Sequence, residues 1–190
     1  MAQRRGAFGM TPPPDPLESL HAAHRALESL ALPHGLIGGW AVIAWGRVRA
    51  TRDVDWLAAI PRSRKSELIK TLSGLGAVDW REPGEDDPIA GLVRIVPEDD
   101  ERPVIDILLA ATAADRAALS RCLQIQLGES SVPAVGPEDI IAMKLQAGGG
   151  LDYEDARALL QMQAGRLDEE LLREACASRS VLDRLALLRR

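Results

Sequence analysis

The stretch GGWAVIAWGRVRATRDVD, residues 38–55, decides how this chain is read. It opens on two glycines, runs through an apolar segment that Gly46 stops, and closes on Asp53 and Asp55. Leu36-Ile37 before it reads as the end of a strand. The glycines then turn the chain, and Trp40–Trp45 forms a short helix. Without side chains, Gly38 and Gly39 let backbone N–H groups approach an anion, and a helix start behind them favours negative charge. Arg52–Ile60 reads as a strand with Val54 between the aspartates. Strand residues two apart share a face at roughly 6.6 Å spacing. Aspartate is depleted in strands, and two on one face resist joint ionisation unless a cation sits between them. Mg²⁺ would take both as hard oxygen ligands. The plain alternative has one aspartate capping a turn after Thr51 and the other facing water.

A third carboxylate lies farther on. Asp106 interrupts the apolar run Val104-Ile105-Asp106-Ile107-Leu108-Leu109. A carboxylate there is costly unless paired, hydrogen-bonded or metal-bound. If this strand lies beside the first, three carboxylates meet. Such a set can hold two ions about 3.5–4 Å apart for in-line displacement at phosphorus. An edge strand with Asp106 turned to solvent is the competing arrangement.

The flanks supply support. Residues 1–14 carry glycines and a proline run without periodicity and read as a disordered tail. Asp15-Pro16-Leu17-Glu18 is a helix start, with Leu20, Ala23, Leu27 and Leu30 on one face. Ser63–Leu75 reads as a helix. Ala77–Arg81, Leu92–Val96 and Val104–Leu109 read as strands, separated by acidic turns at 82–88 and 97–103, which suggests a partly antiparallel, mixed sheet. Thr112–Cys122 reads as a helix, and Ile125–Leu127 and Val132–Val135 as short edge strands. After Gly136 the pattern turns helical over Pro137–Ala147, Tyr153–Gln163, Asp168–Ala177 and Val181–Leu188. The expected fold class is α/β (α+β): a mixed-sheet core over 15–136, flanked by helices, and a helical C-terminal part over 137–190.

Composition narrows the function. Lys and Arg total 23 against 28 Asp and Glu, a formal net charge of -5, so no overall field draws nucleic acid. A local patch at Arg62, Arg64 and Lys65 remains open. Aromatics are 3% of the chain and Trp supplies four of them, too few for a base-stacking platform. Trp40 and Trp45 read as core. Cys122 and Cys176 lack metal or redox spacing and read as reduced, buried thiols of a cytoplasmic protein. His21, His24 and His34 have no metal spacing. No apolar run is long enough for a membrane span.

Gly38-Gly39-Trp40-Ala41, Gly46 and Arg49-x-Thr51-x-Asp53-x-Asp55 together resemble the signature of the DNA-polymerase-β-like nucleotidyltransferase superfamily. The likeness is strongest to its small bacterial branch containing AbiEii-type toxins, and lincosamide-type antibiotic nucleotidyltransferases share a similar GGWA opening. Asp106 matches the third carboxylate. Pro137–Leu145 resembles a helix whose lysine, Lys144 here, contacts nucleotide phosphates, and Asp152-Tyr153-Glu154-Asp155 resembles a later acidic segment. The resemblance spans roughly Leu36 to Leu160 and departs from the family at Gly149-Gly150-Leu151, where relatives carry a basic residue.

The resemblance implies an NTP substrate and Mg²⁺, or Mn²⁺, held by Asp53, Asp55 and Asp106. Gly38 and Gly39 would cradle the phosphates, with Lys144, Arg49 and Thr51 in support. Asp152 and Asp155 are further candidates, although a carboxylate at a helix start is commonly a cap. The acceptor is tRNA, a protein or a small molecule, and a toxin-like role would bring an antitoxin or other partner protein. The departure before Asp152 keeps open a catalytically inactive nucleotide-binding or protein-interaction module of the same fold.

Overall fold

The computed structural model describes residues 15–82 and 91–190. The expected N-terminal tail, and the first acidic turn apart from Glu82, lie outside them. Helix α1 (Pro16–Ser29) starts as the sequence dictates: the Asp15 carboxylate accepts from Leu17 N–H and Pro16 occupies the first turn. Its apolar stripe buries Leu20, Ala23 and Leu27. Strand β1 (His34–Leu36) leads into helix α2 (Gly38–Ala44), and strand β2 (Val54–Ala58) follows. A 3₁₀ turn at Arg62–Arg64 precedes α3 (Lys65–Leu72), so the helix read over Ser63–Leu75 is shorter than expected. Strands β3 (Ala77–Arg81), β4 (Leu92–Val96) and β5 (Ile105–Leu109) come next. Helix α4 (Ala113–Ser120) is closed by a Thr112–Asp115 capping box. Strands β6 (Leu123–Leu127) and β7 (Ser130–Ala134) follow, then helices α5 (Pro137–Ala147), α6 (Gly150–Met162), α7 (Glu169–Ser178) and α8 (Leu182–Leu188).

The seven strands form one mixed sheet in the order β3-β4-β5-β2-β1-β7-β6. The β2–β5 and β1–β7 pairs are parallel and the others antiparallel. Two expectations are corrected here. Strand β7 is internal, because Leu36 of β1 pairs with its Ala134 while β6 takes the outer side. Asp53 lies at an exposed bend before β2 rather than within the strand.

Neighbouring residues on a strand face opposite sides of the sheet. In β2, Trp56 is fully buried and stacks on His24 of α1, whereas Asp55 faces the start of α2. One side of the sheet is therefore closed by α1, and the other carries the polar site. The buried core is continuous from Leu20 of α1 through Trp56 and Ile107 to Leu145 and Leu185 of the C-terminal helices. Gly136, where the sequence changes character, is the N-cap of α5. Cys176 is buried and Cys122 only partly so, both free, with burial pushing each thiol up to about 11. Among the described residues no helix is long and apolar enough to cross a membrane.

Candidate active site

Parallel pairing of β2 with β5 sets Asp55 directly beside Asp106. Asp53 joins them from the preceding bend. Asp55 is fixed by its surroundings: its carbonyl accepts from Ile37 N–H at 3.0 Å, and its carboxylate accepts from the Gly39 backbone N–H. Gly38 has φ +63, and a Cβ there would collide with the Asp55 carboxylate. Glycine is thus required twice at Gly38, for the left-handed backbone and for the space. The first anion at the head of α2 is Asp55 itself. Burial, then the charges of Asp106 and Asp53, push Asp55 up to about 6. Two neighbouring carboxylates and a desolvated third make an excess of negative charge.

Asp106 is 8% exposed and not solvent-facing. Its partner was not legible in the sequence. Arg94 of β4 pairs across the antiparallel ladder with Asp106 and grips it with both arms: Nε donates to Oδ1 at 2.8 Å and Nη2 to Oδ2 at 2.7 Å. This fork raises the Arg94 pKa further, with Asp53 and Asp55 adding to the effect. The alternation Leu92-Val93-Arg94-Ile95-Val96 was the available signal, since it puts Arg94 alone on the polar side. Among the described residues, no three His, Cys, Asp or Glu side chains converge in metal-ligand geometry. Asp53 and Asp55 nevertheless fit a divalent cation, because it would relieve the repulsion around Asp55. Asp106 is already spoken for by Arg94.

A second cluster lies where the C-terminal helices meet the 46–51 loop. Lys144 of α5 donates to Asp152 at 2.8 Å and lies 3.1 Å from Asp155 Oδ2. Asp155 is completely buried in α6, past the helix start, and its other oxygen accepts from Arg47 Nη1 at 2.5 Å, with Arg49 Nε 3.5 Å away. Asp152 caps α6 by accepting from Gly149 N–H at 3.2 Å. Arg49 and the Thr51 hydroxyl crowd Gly39 so closely that a Cβ there would strike both. Arg47 was also missed in the sequence. The structure therefore brings together Gly38, Gly39, Asp53, Asp55 and Asp106, and puts Arg49, Thr51, Lys144, Asp152 and Asp155 alongside, with Asp155 acting as a counter-ion.

A cavity of about 560 Å³ opens between the two clusters. Gly38, Asp55, Lys144 and Asp152 line its polar end, and Leu57, Leu108 and Met143 line its apolar body. Leu57 and Leu108 face it because they lie two residues beyond Asp55 and Asp106 on their strands.

No protein-family model and no curated protein matches the chain. Solved structures do. The antibiotic-resistance factor ANT(2'')-Ia superposes in its solution structure with a TM-score of 0.58 at 22% identity, covering 91% of this chain and 94% of that one. Its crystal structure in complex with adenylyl-2''-tobramycin gives 0.59 at 23% identity, covering 86% and 98%. An antigenic nucleotidyltransferase-like protein from Paracoccidioides brasiliensis gives 0.51 at 16%, covering 92% and 91%. The mixed α/β fold of this chain is the nucleotidyltransferase-like fold.

Proposed function

We propose that this chain is a divalent-metal-dependent nucleotidyltransferase that moves a nucleotidyl group from an NTP to a hydroxyl of a small molecule. The observation that carries this reading is the carboxylate cluster Asp53/Asp55/Asp106 under the Gly38-Gly39 turn, three carboxylates of which Arg94 pairs only Asp106. Asp53 and Asp55 would hold the cation, which when bound neutralises triphosphate charge and polarises the reacting phosphoryl group. Gly38 lets the Asp55 carboxylate lie directly against the turn, and Lys144 supplies a point charge at the edge of the same cavity. An acceptor oxygen forms a bond to the α-phosphorus, the α–β phosphoanhydride bond breaks, and pyrophosphate leaves. The hydroxyl proton passes to a carboxylate of the cluster, Asp106 in the arrangement the sequence suggests.

The acceptor class rests on the cavity. A pocket of about 560 Å³ with an apolar body suits a small molecule better than an RNA duplex or a protein surface. The resistance factor ANT(2'')-Ia, seen with an adenylylated tobramycin, supports the same choice. A second reading, a nucleotide-binding module without turnover, is favoured by one feature: Asp106 and Lys144 both already have partners.

The test is incubation with each α-labelled NTP, Mg²⁺ or Mn²⁺, and small-molecule, RNA and protein fractions of a cell extract, beside Asp53→Ala/Asp55→Ala. Label entering the small-molecule fraction with wild type alone is the expected result. Label in tRNA or protein would point to an AbiEii-like toxin with an antitoxin partner. NTP binding without transfer would establish the inactive module.

A further inference from the structure

We propose that Arg94 is a resident cation of this site: it occupies Asp106 where a second metal ion would otherwise bind, so the chain takes up a single divalent ion, through Asp53 and Asp55. The inference rests on the nucleotidyltransferase reading and deepens it. Three observations carry it. First, Arg94, Asp106 and Asp55 stand in one cross-strand row over β4, β5 and β2. The guanidinium is built into the sheet beside the carboxylates and does not reach in from a loop. Second, both oxygens of Asp106 are engaged, at 2.8 and 2.7 Å, in a two-pronged fork. Such pairing is directional and stronger than a single charge-assisted bond. A metal ligand would have to give up at least part of it. Third, the guanidinium is itself a cation beside Asp106, so a second divalent ion on that carboxylate would have to displace Arg94 or lie against it.

Arg94 is thus a positioning residue. It holds the Asp106 carboxylate at a fixed place facing the site, without using it as a shared metal ligand. Lysine at this position would keep the charge but lose the fork.

The experiment is a count of Mn²⁺ on the intact protein, by calorimetry and electron paramagnetic resonance, with a non-hydrolysable ATP analogue present. The wild type is expected to bind one Mn²⁺ per chain with the spectrum of an isolated ion. Arg94→Gln is expected to bind two, with the spin–spin broadening of ions about 4 Å apart. Arg94→Lys is expected to stay at one. Two coupled ions in the wild type would overturn the inference while leaving the nucleotidyltransferase reading intact, and that count needs no variant to fold. One ion in Arg94→Gln would also overturn it. If neither protein binds Mn²⁺ or the analogue, the underlying reading fails as well.

Discussion

Two acidic clusters lie side by side in this protein, and they differ in one respect. Around Asp155 the charge is balanced. Arg47, Lys144 and Arg49 surround a carboxylate with no solvent exposure, and Asp152 takes part of the Lys144 charge. Around Asp55 it is not. Asp53 and Asp106 add to its charge, and the nearby compensation is Arg94, turned to Asp106, with Lys144 at a distance. A buried charge that its own fold neutralises joins parts of the chain, here the 46–51 loop to α5 and α6. A buried charge left in excess destabilises the chain and is tolerated where a ligand completes it.

Replacing the excess charge should therefore remove function and spare the fold. Asp55→Asn keeps the shape and is expected to lower nucleotidyl transfer by about 10³-fold or more. Its folded pKa lies above the ordinary 3.8, so ionised Asp55 costs stability at neutral pH. Urea denaturation at pH 7.5 should show the variant as stable as the wild type or more so. A clear loss of stability would break the comparison.

The balanced cluster should behave in the opposite way. Asp155→Ala strands Arg47 and Lys144 around an empty site, with an expected loss of about 3–5 kcal/mol in the same denaturation experiment. If the variant keeps wild-type stability and loses only transfer, Asp155 belongs to the reacting site and the division is wrong.

Gly38→Ala sharpens the account at the turn. It adds a Cβ at φ +63 and drives it into the Asp55 carboxylate. The backbone alone costs about 1–2 kcal/mol. Asp55→Ala in the same chain removes the carboxylate but leaves the Asp55 Cβ 2.7 Å from the new methyl, so it should recover only part of the steric cost. A double-mutant cycle with zero coupling would contradict the contact.

A neutral polar cluster gives the smallest effect. His34 Nδ1–H donates to Leu32 O at 2.6 Å, which leaves its Nε2 to accept from His24 Nδ1–H at 2.8 Å. Burial lowers both pKa values, and the neighbouring His34 lowers that of His24 further. The unfolded chain takes up these protons more readily than the folded one. Stability from this pair is present above pH 6.5 and falls as pH drops through that value. Asp55 gives the opposite slope between 3.8 and about 6. Urea midpoints at pH 7.5, 6.5 and 5.5 on an Asp55→Asn background isolate the histidines, and a flat series would refute their neutral pairing.

Much of the fold is local and was legible. Asp15-Pro16 and Gly136-Pro137 mark helix starts by capping chemistry, and each of the strands read over 77–81 and 92–96 falls at those residues. Asp55 and Asp106 stood out because aspartate is costly in apolar strands, whereas Asp53, read into the same strand as Asp55, lies at the exposed bend before it. What escaped depends on register. The sequence did not say that Arg94 stands opposite Asp106, because that pairing is set by how the 97–104 connection returns the chain. Nor did it say that Arg47 reaches Asp155, 108 positions away. Strand β7 looked like an edge because its ladder with β1 is brief, a single pair at Leu36 and Ala134. Asp152 and Asp155 look alike in sequence, yet one caps a helix and the other is wholly buried.

The most direct test of the central claim is the melting temperature with and without Mg²⁺ and ATP, for wild type and Asp53→Asn/Asp55→Asn. At ligand concentrations about 100-fold above Kd, binding should stabilise the wild type by about 2.7 kcal/mol. The account predicts that rise in the wild type, and in the variant an unshifted melting temperature on an intact fold. An equal rise in both would contradict it, because the uncompensated aspartates would then play no part in holding the nucleotide.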